Sequence, residues 1–161
     1  MDSPQWLDPL EQQTWRRLGA LLNLLPGLLE AQLQQDAGIT HYEYWVLAML
    51  SEAPRRTLRM SQLAAWTNAS PSRLSHVVNR LELRGWLTRV PVPGDGRGQA
   101  AVLTDAGWEL LRDTAPHHVT HVRSLIFDHL TTGEVESLDA ILGTILSQVD
   151  PGGEFGSPAA R

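Results

Sequence analysis

Apolar residues recur at helical spacing near both ends of this chain, and between them the pattern shortens and changes period. From about Pro9 to Gln35 the repeat is carried by Leu10, Leu18, Leu21, Leu22, Leu25, Leu28, Leu29 and Leu33. Pro26-Gly27 interrupts it and predicts a kink or short break, because proline removes a backbone donor and clashes with the preceding turn. Gly38 is the stop. Thr40 to Glu43 fits a capping box that opens a second helix through Leu50 and Ser51, ended by Ala53-Pro54. A short third helix is predicted over Ser61 to Trp66, then a turn at Asn68-Ala69. Ser70 is a good N-cap, and Pro71 suits the first position of a fourth helix. That helix buries Leu74, Val77, Val78 and Leu81 and stops at Gly85.

Alternation then replaces helical spacing. Trp86 to Val92 and Ala100 to Leu103 read as two short strands around P-G-D-G-R-G-Q, a loop with three glycines and no apolar residue except its leading proline. Thr104 caps a long helix from Asp105, with a kink expected near Ala115 because Pro116 follows, and with the pattern resuming from Val119 to Leu130. Thr131 to Glu134 is another capping box. It opens a last helix with Leu138, Ile141, Leu142, Ile145 and Val149 on one side, stopped at Asp150-Pro151-Gly152-Gly153. Residues 150–161 hold too few apolar positions to pack and are expected to be a disordered tail.

These elements predict one mainly α domain over 1–161, a winged helix-turn-helix with a small β-hairpin wing. The lobe is 53–104. The helices of 9–52 and 105–149 carry more leucine and isoleucine than so small a lobe can cover, and dimerisation is the simplest use for that surface. Charge sharpens the division. Arg55, Arg56, Arg59, Arg73, Arg80, Arg84, Arg89 and Arg97 face only Glu82 and Asp95 within the lobe, a local excess of positive charge inside a chain of net charge −5. The 161 residues include no cysteine, which excludes disulfides and thiolate metal sites and fits a reducing, cytoplasmic setting. All thirteen basic residues are arginine, so a Walker A lysine and Schiff-base chemistry are excluded. No apolar run reaches the length of a membrane span, and the acidic start M-D-S-P-Q-W-L-D lacks the basic opening of a signal peptide.

With the apolar set of the fourth helix turned inward, Ser72, Arg73, Ser75, His76, Asn79 and Arg80 are left outside. Arginine and asparagine can each make paired hydrogen bonds to base edges, and Ser70 and Ser72 stand where a helix N-terminus meets phosphate. Arg97 at the wing tip suits a narrow minor groove, with Asp95 holding the loop shape. Double-stranded DNA is the predicted partner. The glycines of the loop sit between strands rather than opening a helix, which argues against a dinucleotide site. No G-x-S-x-G elbow, H-E-x-x-H pair or phosphate loop is present, so no enzyme is expected.

The segment L-A-A-W-T-N-A-S-P-S-R-L-S-H-V-V-N-R-L-E-L-R-G-W-L, followed by D-G-R-G and V-L-T-D-A-G-W-E-L-L, resembles the MarR (multiple antibiotic resistance regulator) family of winged helix-turn-helix transcriptional regulators. Asp95 and Arg97 match its Asp-x-Arg wing motif, and Leu103-Thr104 its step into a long helix. The resemblance implies a triangular homodimer on a pseudo-palindromic operator, and repression relieved by a small ligand, commonly an aromatic acid. Trp15, Tyr42 and Trp45 are the candidate walls for such a ligand, although aromatic residues equally suit an ordinary core. Some members of the resembled family sense zinc. His117 and His121, four apart on the long helix, keep a zinc-responsive regulator as one alternative and a ligand-independent winged-helix regulator as the other, with surface and interface histidines as the default and no metal or other cofactor assigned.

Overall fold

A computed structural model describes residues 4–96 and 98–155. Its first helix, α1 (Pro9–Ala37), opens on a capping box between Asp8 and Glu11 and ends at Gly38. The break expected at Pro26-Gly27 does not occur: α1 runs through Pro26. Leucines on both sides of the proline keep one helical spacing, and the proline removes a backbone donor without ending the helix. α2 (His41–Glu52) opens on the predicted Thr40–Glu43 box. A single 3-10 turn at Pro54–Arg56 leads into β1 (Thr57–Arg59). This strand was not expected. Three residues are too few to show alternation, and Arg55 and Arg56 enter it with positive φ, a conformation that sequence pattern does not report.

α3 (Met60–Trp66) and α4 (Pro71–Leu83) form the helix-turn-helix. Asn68 turns the chain with φ 47°, and the Ala69 amide donates to the Ala64 carbonyl at 2.9 Å. β2 (Leu87–Pro91) and β3 (Gln99–Leu103) make the wing hairpin. The sheet order is β1-β3-β2, antiparallel throughout, with Leu58 opposite Ala101 and Arg89 opposite Ala101 on the other side. α5 (Asp105–Leu125) is capped by Thr104 and continues through Pro116 without a break. Its helical pattern ends earlier than the sequence suggests, in a 3-10 turn at Phe127–His129. α6 (Thr132–Val149) opens on the Thr131–Glu134 box.

One core joins α2, the helix-turn-helix and the sheet, through Val46, Leu47, Leu50, Leu58, Leu63, Leu74, Val78, Leu81, Leu87, Ala101 and Leu103. The first turn of α5 is pressed onto the root of the wing. A Cβ on Gly107 would lie 2.1 Å from the Trp86 carbonyl oxygen, so only glycine fits there. The same carbonyl accepts from the Thr104 amide at 3.1 Å. The terminal helices are covered far less. Leu33 is the one buried residue of α1, and α6 has none. Residues 150–155, expected to lie in a disordered tail, form a turn instead. The Asp150 carboxylate accepts from the Phe155 amide at 2.8 Å, and the Phe155 ring stacks on Trp45 with centroids 5.9 Å apart. The rest of the expected tail, 156–161, lies outside the described residues.

Candidate nucleic-acid interface

α4 presents three faces. Leu74, Val77, Val78 and Leu81 are buried. Ser72, His76 and Asn79 lie opposite them and are exposed, a polar stripe suited to a DNA groove. Arg73 and Arg80 lie on one flank and Ser75 and Glu82 on the other. Ser70 is used locally, because its hydroxyl accepts from the Arg73 amide at 3.3 Å as the N-cap.

The arginines are more tied to the protein than the sequence suggests. Arg73 lies over the Tyr42 ring, 4.3 Å from its centroid, and the Tyr42 hydroxyl is 2.9 Å from that of Thr67. Arg80 donates from Nε to Glu43 Oε1 at 3.1 Å. That carboxylate is only 6% exposed, and its other oxygen accepts from the Thr40 amide at 2.8 Å. Arg84 donates to the Gly38 carbonyl at 2.9 Å and covers the Trp86 ring. Arg73 and Arg80 thus brace α4 against the start of α2 as well as facing solvent, a role that neighbours distant in sequence decide.

On the other flank Arg89 of β2 is held by Glu82, with Nε and Nη2 donating to Oε2 at 3.0 and 2.7 Å and the Arg89 amide donating to Oε1 at 3.0 Å. These bonds hold the Glu82 carboxyl below the usual carboxylate range, the backbone contact most of all, against a small opposing effect of burial. Arg89 Nη2 also donates to the side-chain oxygen of Asn79. In the wing, Asp95 Oδ1 accepts from the Gly98 amide at 3.0 Å, and Oδ2 lies 3.5 Å from Arg59. A Cβ on Gly98 would come within 2.5 Å of that carboxylate. Asp95 is therefore placed to shape the loop. Arg97 lies outside the described residues.

The three aromatic residues expected to wall a ligand site stand in different surroundings. Trp15 is 59% exposed on α1, and Trp45 is occupied by Phe155. Tyr42 alone lines a cavity of about 420 Å³ between α4 and the α1–α2 junction, with Glu30, Thr40, Arg73, His76, Val77 and Arg80. The histidines of α5 differ in burial. His117 is exposed, while His118 is buried with Nδ1 2.8 Å from Gln32 Oε1 and its ring 4.4 Å from that of Tyr44. Burial lowers the His118 pKa, and the nearby His41 and His121 lower it further. Burial also lowers that of His41, against the Glu30 carboxylate, which raises it. His117 and His121 border one cavity, but no group of three metal-type ligands forms among the described residues.

The family model of the MarR family matches residues 37–98. Over 98% of this chain and 97% of the other, the fold superposes with a TM-score of 0.88 and 44% identity on Sco3205 of Streptomyces coelicolor, a MarR family transcriptional regulator solved in complex with DNA. The chain belongs to the MarR family. AbsC, another MarR family regulator from that organism, is similar at 39% identity and a TM-score of 0.85, over 91% of this chain and 98% of the other. Among curated relatives, the transcriptional repressor MprA of Escherichia coli K12 is 28% identical over 115 residues, which span 70% of this MarR family chain and 64% of MprA. As in its relatives, the reader is a helix-turn-helix beside a wing. No described helix is long and apolar enough to cross a membrane.

Proposed function

We propose that this protein is a cytoplasmic transcriptional repressor, without enzymatic activity, that binds a pseudo-palindromic operator as a homodimer. The observation that carries the reading is the exposed Ser72–His76–Asn79 stripe of α4, set between arginine-bearing flanks on a fold shared with a DNA-bound relative. Two such helices related by a twofold axis would meet successive major grooves about 34 Å apart. Arg97 is assigned to the wing tip and the adjacent minor groove. Footprinting the purified protein on the DNA upstream of its own gene tests the proposal, with binding repeated across a salt series. A protected palindrome and a steep fall with salt are expected. Arg97→Ala should weaken many sequences alike and lower the salt slope by about one. A salt-independent interaction, or none, overturns the reading.

Release by a small aromatic acid belongs to the same proposal, with the site moved to the cavity beside Tyr42. Arg73 and Arg80 can pair with a carboxylate there, and Tyr42 offers a ring face. Arg73 also stands on the reader helix, so a ligand that draws its guanidinium away from Tyr42 acts on the DNA-binding surface directly. Hydroxybenzoic and phenylacetic acids should weaken operator binding, and Arg73→Ala should abolish their effect. Acids that release wild type and Arg73→Ala equally would place the ligand elsewhere.

A further inference from the structure

Asn79 sits in the middle of the exposed stripe of α4, and one neighbour restricts what it can present. Its side-chain oxygen accepts from Arg89 Nη2. A guanidinium has donors and no acceptor, and it stays charged at any ordinary pH. Turning the Asn79 amide over would aim an NH2 group at those donors. The carbonyl is therefore held toward β2, and the NH2 group is the end left for a ligand.

Arg89 is itself well fixed. Glu82 accepts from its Nε, its Nη2 and its backbone amide, all within 3.0 Å. Glu82 is three residues beyond Asn79 on the same helix, so α4 supplies both acceptors and β2 supplies the cation between them. A lone asparagine chooses its orientation when it meets a base. The paired contact to adenine uses that freedom: the carbonyl accepts from N6 while the NH2 donates to N7. In this protein the carbonyl is directed elsewhere before DNA arrives.

We propose that Asn79 acts as a donor-only reader of an acceptor-bearing base edge, guanine O6 and N7 first and thymine O4 second, with Arg89 as the residue that positions its amide. This inference rests on the DNA-binding reading above. Cytosine presents only an amino donor in the major groove, and adenine sets its amino donor beside N7, so a donor-only amide finds no acceptor on cytosine and one acceptor flanked by an unpaired donor on adenine, against two acceptors on guanine.

The test is base preference, measured by competing all four base pairs at every operator position against wild type and variants. Asn79→Ala should flatten one position per half-site, where wild type favours guanine or thymine by roughly five- to hundredfold. Asn79→Asp is isosteric and accepts only, so the same position should shift toward cytosine or adenine. Arg89→Met frees the amide and should raise adenine at that position. Arg89→Lys keeps a donor beside the carbonyl and should retain much of the wild-type order. A merely structural Arg89 would lower affinity for all sequences together and leave the base order unchanged, which overturns the proposal. So does a wild-type preference for adenine at the Asn79 position, or an Asn79→Ala profile identical to wild type on an operator that both bind. Failure of wild type to bind any operator removes the DNA-binding reading along with it.

Discussion

The lobe of residues 53–104 and the last helix, α6, are both supplied with leucine, isoleucine or valine and dispose of them in opposite ways. The lobe closes within its own chain: Leu58, Leu63, Leu74, Val78, Leu81, Leu87 and Leu103 lose nearly all contact with water by packing among the helix-turn-helix, the sheet and the neighbouring α2. α6 buries none of its residues fully against its own chain. Ile141 is 57% exposed and Val149 71%, with Leu142, Ile145 and Leu146 in the same condition. α1 lies between the two cases, with Leu21, Leu22 and Leu24 exposed and only Leu33 buried. A monomeric protein rarely displays an apolar surface that continuous. The helix-turn-helix and its wing are packed within one chain, whereas the exposed apolar surface of the terminal helices is what the proposed homodimer would cover.

The largest effect is expected where that surface is spoiled. Leu142→Asp places a charge in the proposed interface, and twofold symmetry places it there twice. The loss in association is about 4 kcal/mol or more, read as a dimer-to-monomer change by sedimentation at micromolar concentration. A stable wild-type monomer under the same conditions breaks the comparison. Next comes Leu81→Ala, which should leave a cavity under α4 and cost about 3 kcal/mol in thermal or denaturant unfolding. It should do so without a direct effect on the dimer contacts.

Arg80→Ala is a smaller change at the boundary between the regions. It leaves the buried Glu43 carboxylate without its cation, though Thr40 still donates to it. Because Arg80 is 58% exposed, water softens the loss, and about 1–2 kcal/mol is expected. Calorimetry reads this stability change, and parallel binding to unrelated DNA separates it from any loss of charge at the interface. The smallest effect concerns pH. His118 and His41, where α1, α2 and α5 meet, have folded pKa values below the ordinary 6.5. The unfolded chain therefore takes up their protons first as pH falls. Their neutral packing contributes fully above 6.5 and is lost as pH drops through the lower folded values. The melting temperature should decline between pH 7 and 5, and His118→Gln should flatten part of that slope while keeping a partner for Gln32.

The helices and the wing were legible because their signals are local. Thr40, Ser70, Thr104 and Thr131 announce helix starts by chemistry confined to a few residues. β1 was not legible, since a three-residue strand earns its hydrogen bonds from Ala100 to Val102 far along the chain. The candidate site divides in the same way. The α4 stripe follows from helical period. The bracing of Arg80 by Glu43, of Arg73 by Tyr42 and of Asn79 by Arg89 depends on which elements meet, and no spacing encodes that. The Trp15–Tyr42–Trp45 grouping rested on residue type, whereas the surroundings of each, solvent for Trp15 and the Phe155 ring for Trp45, are set by packing.

Gly107 carries a mechanical consequence. With no room for even a methyl group between the first turn of α5 and the Trp86 carbonyl, and with Thr104 bonded to both Gly85 and Trp86, that joint has no slack. A tilt of α5 at this joint would press directly on the root of the hairpin. In the proposed homodimer the long helix would be a crank whose short arm is the hairpin, and a change in how two copies lean on each other would be felt at the wing.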